Sequence, residues 1–388
     1  MGAICPELPT IMKMASMGSR RCVVVGAGIL GASVAARLAA AGLRVTLLDQ
    51  DQPGRATSRW SFAWVNSNDK GPRPYYDLNH AGIRAWAELA PDLDGDAWYR
   101  PVGHVELATA EGAAELEARV KRLTDWGYPA RLVGPAGAAA LEPALRVPPD
   151  AAAAFFPEEG YLLTEPLIAR LVARAESHGA QVRTGEPGRV TVLEPGAPPR
   201  VRTAAGAVLE ADEVVCCAGR WTPALAEVPL VPWQTPGSIA PGLVVRAGPV
   251  PLISGLVRLV HTPELSLRPH PGGLVHLEAE DAAAAVDLHT PEPELRRWAD
   301  ELLRRARGTV RGLGDARVVE KTVCARPLPA DGQSIVGRLP GAPGIYVAVT
   351  HSGVTLAAHL SRLITADLTT GIPPGPLAPY TPDRFTPG

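Results

Sequence analysis

Residues 21–49 constrain the fold of this chain more than any other stretch. Arg21-Cys22-Val23-Val24-Val25 is a β-branched run that reads as a buried parallel strand. Gly26-Ala27-Gly28-Ile29-Leu30-Gly31 follows, then an alanine-rich helix closed at Gly42, then a second strand over 44–48 ending at Asp49. Gly26 permits the tight turn, Gly28 lets backbone approach a pyrophosphate, and Gly31 lets helix and strand pack closely. The helix N-terminus offers free N–H groups and a positive dipole end to phosphates. Asp49 stands 18 residues beyond Gly31, where a carboxylate reaches a ribose diol. A G-x-G-x-x-G alone is weak; strand, turn, helix, strand and acid in this order read as a dinucleotide site. The acid disfavours a 2′-phosphate, which leaves NAD or FAD.

Composition narrows the partners. The chain has 388 residues, enough for two medium domains, and 38 basic against 40 acidic side chains, so no nucleic-acid surface is expected. Hydrophobic residues at 46% with a net charge of −2 argue against disorder. The uncharged stretch from Cys22 to Ala36 is broken by three glycines and falls short of the roughly 20 apolar residues a bilayer span needs. The first residues lack the pattern of a signal peptide, and residues 1–19 are expected to be a flexible extension. The five cysteines form no disulfide framework and no Cys-x-x-Cys, so no metal is expected and the compartment reads as reducing cytoplasm.

Three later segments choose between the two cofactors. Ala56-Thr57-Ser58-Arg59-Trp60-Ser61-Phe62-Ala63-Trp64-Val65-Asn66 lies directly beyond the second strand. Glu213 to Trp221 contains a buried strand ending in Cys217-Ala218-Gly219-Arg220-Trp221. Arg326-Pro327-Leu328-Pro329-Ala330-Asp331-Gly332 leads to a strand and then His351-Ser352-Gly353-Val354-Thr355, which opens a second helix. Together these resemble the FAD-dependent D-amino-acid oxidase superfamily, in its glycine oxidase and sarcosine oxidase branch. The resemblance runs from about residue 21 to about 370 and rests on motif order.

The resemblance implies an α/β fold: a Rossmann-type FAD-binding domain and a second α+β substrate domain on a mixed sheet. The FAD-binding domain is expected over 20–95, 155–228 and 320–372, and the substrate domain over 96–154 and 229–319. A Pro-rich tail, 373–388, is expected as a surface strap or disordered end. Substrate-domain strands are expected near 104–109, 242–247, 256–259, 265–269 and 274–278.

It also implies the site. Beyond Gly26, Gly28, Ile29, Leu30, Gly31, Asp49 and Gln50, the flavin is expected to meet Ala56, Thr57, Ser58 and Ser61, with Val190 on the adenine side. Gly219 and Trp221 would close the dinucleotide site, and His351, Ser352, Gly353, Val354 and Thr355 would cap the pyrimidine end. Arg326 matches an arginine that anchors a substrate carboxylate in relatives, a contact suited to a guanidinium fork, and is also placed by the cofactor. His351 is a candidate for tuning flavin charge or touching substrate. Asn66 and Trp64 would flank the ring, and Arg268 would line the pocket roof. Cys324 resembles a cysteine that tethers flavin in sarcosine-oxidase relatives, although the Arg326-Pro327 that follows fits the noncovalent branch better.

The implied reaction is oxidation of a C–N bond in a small amine or amino acid. Hydride passes to flavin N5, an imine results, and O2 is the expected acceptor. Alternatives are a dehydrogenase with another acceptor, a tailoring enzyme of specialised metabolism in a high-GC bacterium, an NADPH-consuming hydroxylase, and a non-catalytic flavoprotein subunit. Composition and motifs leave the substrate and the oligomeric state open.

Overall fold

The computed structural model describes residues 20–249 and 255–386; the expected extension over 1–19 lies outside them. Two large sheets organise the chain. The first has six strands in the order Ile335–Arg338, Ile345–Val349, Glu213–Cys216, Arg21–Val25, Arg44–Leu48 and Gln181–Arg183. Five run parallel, and Ile335–Arg338 is antiparallel to its neighbour. Parallel strands buried on both faces need apolar side chains in both directions, which is why Val23, Val24 and Val25 are consecutive and all buried.

Helices cover one face of this sheet. Ile29–Ala40, Arg73–Leu89, Thr164–Ser177 and Gly353–Thr370 pack there around Val24, Leu38, Leu47, Trp86 and Leu360. A small antiparallel sheet of Val190–Glu194, Arg200–Thr203 and Val208–Glu210 covers the other, around Val23, Val214, Leu193 and Val201. A further three-stranded sheet joins Trp64–Val65, Gly160–Leu162 and Tyr99–Arg100.

The second large sheet has eight strands and mixed directions. Its order is Arg317–Ala325, Pro241–Gly248, Leu274–Glu278, Leu265–His270, Leu259–Thr262, His104–Ala108, Ala152–Phe156 and Arg131–Leu132. Alternate residues divide its faces, as the pleat requires. Val245, Leu267, Leu277, Val260 and Val105 pack against the helix Glu292–Thr309 through Leu302 and Leu303. The opposite face carries Arg246, Arg268, His276, His261 and His104, and forms a polar roof over segment 59–64.

The fold is the α/β arrangement expected, with a mixed second sheet. Two expected divisions cut through strands. Residue 155 lies inside Ala152–Phe156 and residue 320 inside Arg317–Ala325, and both strands are hydrogen-bonded into the eight-stranded sheet. The strand expected over 256–259 is Leu259–Thr262. The Pro-rich tail makes two short 3-10 turns, Gly375–Tyr380 and Pro382–Phe385, and buries Leu377 and Tyr380 against the body. Among the described residues no helix is long and apolar enough to cross a membrane.

Candidate active site

A cleft opens at the carboxyl ends of the four central parallel strands, where ligands bind in open α/β sheets. Its wall includes Val25 and Gly26, Leu48 and Asp49, Cys217 and Ala218, and Val349 and Thr350. Gly26 has φ +98°, and a Cβ there would stand 2.4 Å from the carbonyl oxygen of Cys217. At Gly31 a Cβ would meet the Gly26 carbonyl oxygen at 1.8 Å, so this glycine is a packing requirement under the cleft and not part of its wall.

The helix N-terminus that faces the cleft is dressed by a side chain from the next loop. Ser58 Oγ accepts a hydrogen bond from Ile29 N at 3.0 Å. Its own O–H is then free to donate to a phosphate oxygen seated there. Asp49 closes the turn from behind: its carboxylate accepts from Ala27 N at 2.6 Å and from Asp51 N at 2.9 Å. Burial pushes its pKa up, and those amide bonds oppose the shift.

Most of the expected cofactor residues line this cleft: Gly26, Gly28, Ile29, Leu30, Asp49, Gln50, Ala56, Thr57, Ser58, Ser61, Val190, Gly219, Trp221, His351, Gly353 and Val354. Gly188, Arg189 and Thr191 join Val190, and Pro327 and Thr350 join His351. Pro327 belongs to the Arg326–Gly332 motif, but the other four stand at no motif position that would single them out. Arg220, the unread position in C-A-G-x-W, also lines the cleft. It is sandwiched between Trp221 and Trp233, with its guanidinium carbon 4.1 and 4.8 Å from their ring centroids.

Several expected contacts point elsewhere. Ser352 is buried, and its Oγ accepts from Tyr75 O–H at 3.0 Å. Thr355 is buried too; its Oγ1 accepts from Asn66 N and donates to Trp64 O, both at 3.3 Å, so it fastens the Trp64–Asn66 segment instead of facing the cleft. Asn66 is itself buried, and the Trp64 indole N–H donates to Glu159 Oε2 at 2.8 Å. Cys324 is buried, and burial raises its thiol pKa, which disfavours the thiolate needed for a covalent link.

The roof is dense in charge. Arg268 is buried and donates to the carbonyls of Phe62 at 2.5 Å and Pro269 at 2.9 Å; burial pushes its pKa down to about 10. It therefore pins the segment after Ser61. Arg246 pairs with Glu320 at 2.8 Å and stacks on Trp60. His276 lies between these arginines, and burial with their charge holds it well below the usual histidine range. Burial raises Glu278 to about 7 against the pull of Arg326 and Arg268.

Arg326 sits at the end of the roof. Its Nε and Nη2 donate to the carbonyls of Ala240 at 3.1 Å and Ile239 at 2.6 Å, and Nη1 has no partner among the described residues. It acts electrostatically on both Glu278 and His351. His351 opens into the cleft, yet crowding by its walls, then Lys70 and Arg326, hold its imidazole below the ordinary range.

An extended cleft at strand ends, roofed at one side by a second polar sheet, is how nucleotide-dependent oxidoreductases enclose a small substrate beside their cofactor. The particular family follows from the sequence: residues 21–367 match the DAO family, FAD dependent oxidoreductase, and the chain belongs to it. Its cofactor is FAD. The side-chain-free turn at Gly26 and Gly28, the amide end of the helix and the acid behind it fit that group's diphosphate and ribose. The chain is 27% identical to the uncharacterized oxidoreductase YurR of Bacillus subtilis (strain 168), over 93% of this chain and 98% of that one. The crystal structure of iminodiacetate oxidase from Chelativorans sp. BNC1 superposes with a TM-score of 0.77 at 26% identity, covering 93% of this chain and 99% of that one. Glycine oxidase from Geobacillus kaustophilus gives a TM-score of 0.79 at 22% identity, over 95% and 100%.

Proposed function

We propose that this protein oxidises a C–N bond in a small amine or amino acid bearing a carboxylate, with O2 as electron acceptor. The observation that carries the reading is Arg326, fixed by two backbone carbonyls with one guanidinium nitrogen left over, its charge acting on His351 of the cleft wall. FAD, when bound, supplies the two-electron acceptor for the hydride that leaves the substrate carbon. The chain's own residues bind, orient and enclose. Arg326 holds the carboxylate; His351, kept neutral, places no competing positive charge in the cleft; the roof excludes water. Val190 and Asp49 hold the adenosine side, and Ser58 with the amides after Gly28 holds the diphosphate. Similarity to an iminodiacetate oxidase over nearly the whole chain supports the same substrate class.

Mixing the holoenzyme anaerobically with glycine, N-methylglycine, iminodiacetate, D-amino acids and carboxylate-free amines tests this. Bleaching of the flavin by members of the first four groups is expected, with peroxide released once air is admitted. A flavin that none of these reduces would overturn the reading. Bleaching without peroxide would move the acceptor from O2 to a carrier.

A further inference from the structure

The cleft that takes FAD carries an imbalance of charge that the residues assigned so far leave unresolved. FAD brings a diphosphate linker, each phosphate of which is anionic, and the Asp49 carboxyl already stands behind the turn that receives it. Among the described residues, the arginines in the cleft wall are Arg189 and Arg220. Arg189 is committed: its Nε and Nη2 donate to the carboxylate oxygens of Glu186 at 3.1 and 2.9 Å. Burial, then Lys70 and Arg326, lower His351 to about 3, so its imidazole adds no charge. Arg220 has no ion-pair partner among the described residues. The Cys324 thiol lies beside it, but burial raises that thiol's pKa and keeps it neutral.

The Arg220 guanidinium is held so that little of it can meet a ligand. It is cupped by Trp221 and Trp233, whose ring centroids lie 4.1 and 4.8 Å from its central carbon and 6.0 Å from each other. The Trp233 indole N–H donates to the Arg220 carbonyl at 3.0 Å, which fixes that ring in place. Nη1 donates to the Ala325 carbonyl at 3.2 Å and to Thr57 Oγ1 at 3.3 Å. Nε is buried without a partner. Nη2 has no oxygen partner among the described residues and is not sealed off as Nε is. It is the corner of this side chain left to the cleft that Arg220 lines.

That corner lies by the seat of the diphosphate. Thr57, bonded to Nη1, is the chain neighbour of Ser58, whose Oγ accepts from Ile29 N at the helix end. Two residues before Arg220, Ala218 closes on the glycine turn from the opposite wall: a Cβ at Gly26 would stand 3.1 Å from its Cα. Arg220 is thus tied through its side chain to the loop that dresses the helix end, and through its backbone to the wall that faces the turn.

We propose that Arg220 is the counter-ion of the FAD diphosphate, with Nη2 donating to a phosphate oxygen. A cation in a poorly hydrated cleft is costly until an anion meets it. Burial already pushes the Arg220 guanidinium below its ordinary pKa, the direction taken by a cation short of a partner. A phosphate answers this with a charge-assisted hydrogen bond. The indoles order the side chain before the cofactor arrives, so binding does not bear that entropy. Ser58 and the amides after Gly28 grip the diphosphate from the helix side, and Arg220 supplies the full charge they lack. The assignment concerns the cofactor and holds whichever amine is oxidised.

The test uses full-length apoprotein and titration calorimetry with FAD, ADP, adenosine and riboflavin. ADP carries the diphosphate without the flavin, adenosine carries neither, and riboflavin carries the flavin without phosphate. Arg220→Gln keeps a planar donor and removes the charge. Its Kd for ADP and for FAD should both rise by roughly 10–100-fold, the worth of one charge-assisted hydrogen bond. Adenosine and riboflavin should bind as they do to the unsubstituted protein. Unchanged ADP affinity would overturn the assignment. So would a loss that falls on riboflavin instead of ADP, because the guanidinium would then face the ring system. The substitution also removes the bonds to Ala325 and Thr57, so a second measurement uses the unsubstituted apoprotein. There ADP, and not adenosine, should move the guanidinium nitrogen-15 signals of Arg220, and signals that ADP leaves in place would equally overturn the proposal.

Discussion

The Nη1 of Arg220 stands 3.2 Å from the carbonyl oxygen of Ala325, at the end of the roof's edge strand. The Thr57 hydroxyl donates to the same oxygen at 2.9 Å, and Arg220 Nη1 reaches Thr57 Oγ1 at 3.3 Å. Three segments far apart in sequence therefore meet at one carbonyl: the loop after the second strand, the C-A-G-R-W turn and the roof. Two tryptophan faces hold the guanidinium flat while it bridges them.

Arg220→Ala removes these hydrogen bonds and both stacked faces. The expected loss is about 2–3 kcal/mol of stability, summed from charge-assisted hydrogen bonds and cation–π contacts. Denaturant unfolding of the holoenzyme measures it, and release of flavin at lower denaturant than in the unsubstituted protein should accompany it. Lysine at this position should rescue little, because it lacks the planar surface.

Ser58→Ala takes away the hydroxyl bonded to Ile29 N. One phosphate hydrogen bond is worth about 1.4 kcal/mol, or tenfold in affinity. Titrating apoprotein with FAD and following flavin fluorescence should show a Kd about tenfold weaker, with the fold unchanged. Equal affinity would remove Ser58 from the diphosphate site.

Arg326→Gln should raise KM for carboxylate substrates by roughly 10–100-fold, the equivalent of one charge-assisted hydrogen bond. Flavin content should be unchanged. Amines without a carboxylate, if they react at all, should be indifferent to the substitution. A uniform loss over both groups would mean that Arg326 serves only to fasten Ile239 and Ala240.

Glu278 gives the protein a pH dependence of definite sign. Burial raises its carboxyl to about 7 in the folded chain, above the ordinary 4.5. Between these values the native state holds a proton that the unfolded chain has released. Stability contributed by this group is therefore complete below the unfolded value and falls as pH rises through the folded one. The side chain is one-third exposed, which screens the effect. A fall of roughly 2–4 °C in Tm between pH 5 and pH 8 is expected, about 1 kcal/mol on the scale of medium-sized domains. Glu278→Gln should flatten that slope in calorimetry.

The glycine-turn side of the candidate cleft is legible in the sequence because its geometry is local. Gly26, Gly28, Asp49 and Ser58 sit within one strand–turn–helix–strand unit and its loop, and each is dictated by backbone geometry or an amide of that unit. What lay beyond local reach was missed. His104 and His261 are 157 positions apart, and only the pairing of two roof strands makes them neighbours. Glu159 follows an apolar strand with no motif around it. The family resemblance implies Ser352 and Thr355 as cleft residues, but Tyr75 and the Trp64–Asn66 backbone claim their hydroxyls. Arg268 reads as a roof cation from its strand, while its partner carbonyl at Phe62 lies some 200 positions earlier.

The six-stranded sheet has a bearing on biosynthesis. Its founding strand, Arg21–Val25, is sandwiched between Arg44–Leu48 and Glu213–Cys216, and the next neighbour outward is Ile345–Val349. Synthesis must thus pass Cys217 and Ala218 before the glycine turn acquires its facing wall, and pass Val354 before the cleft is closed. A product terminated before Gly353 should therefore emerge with an unwalled cleft and retain flavin poorly.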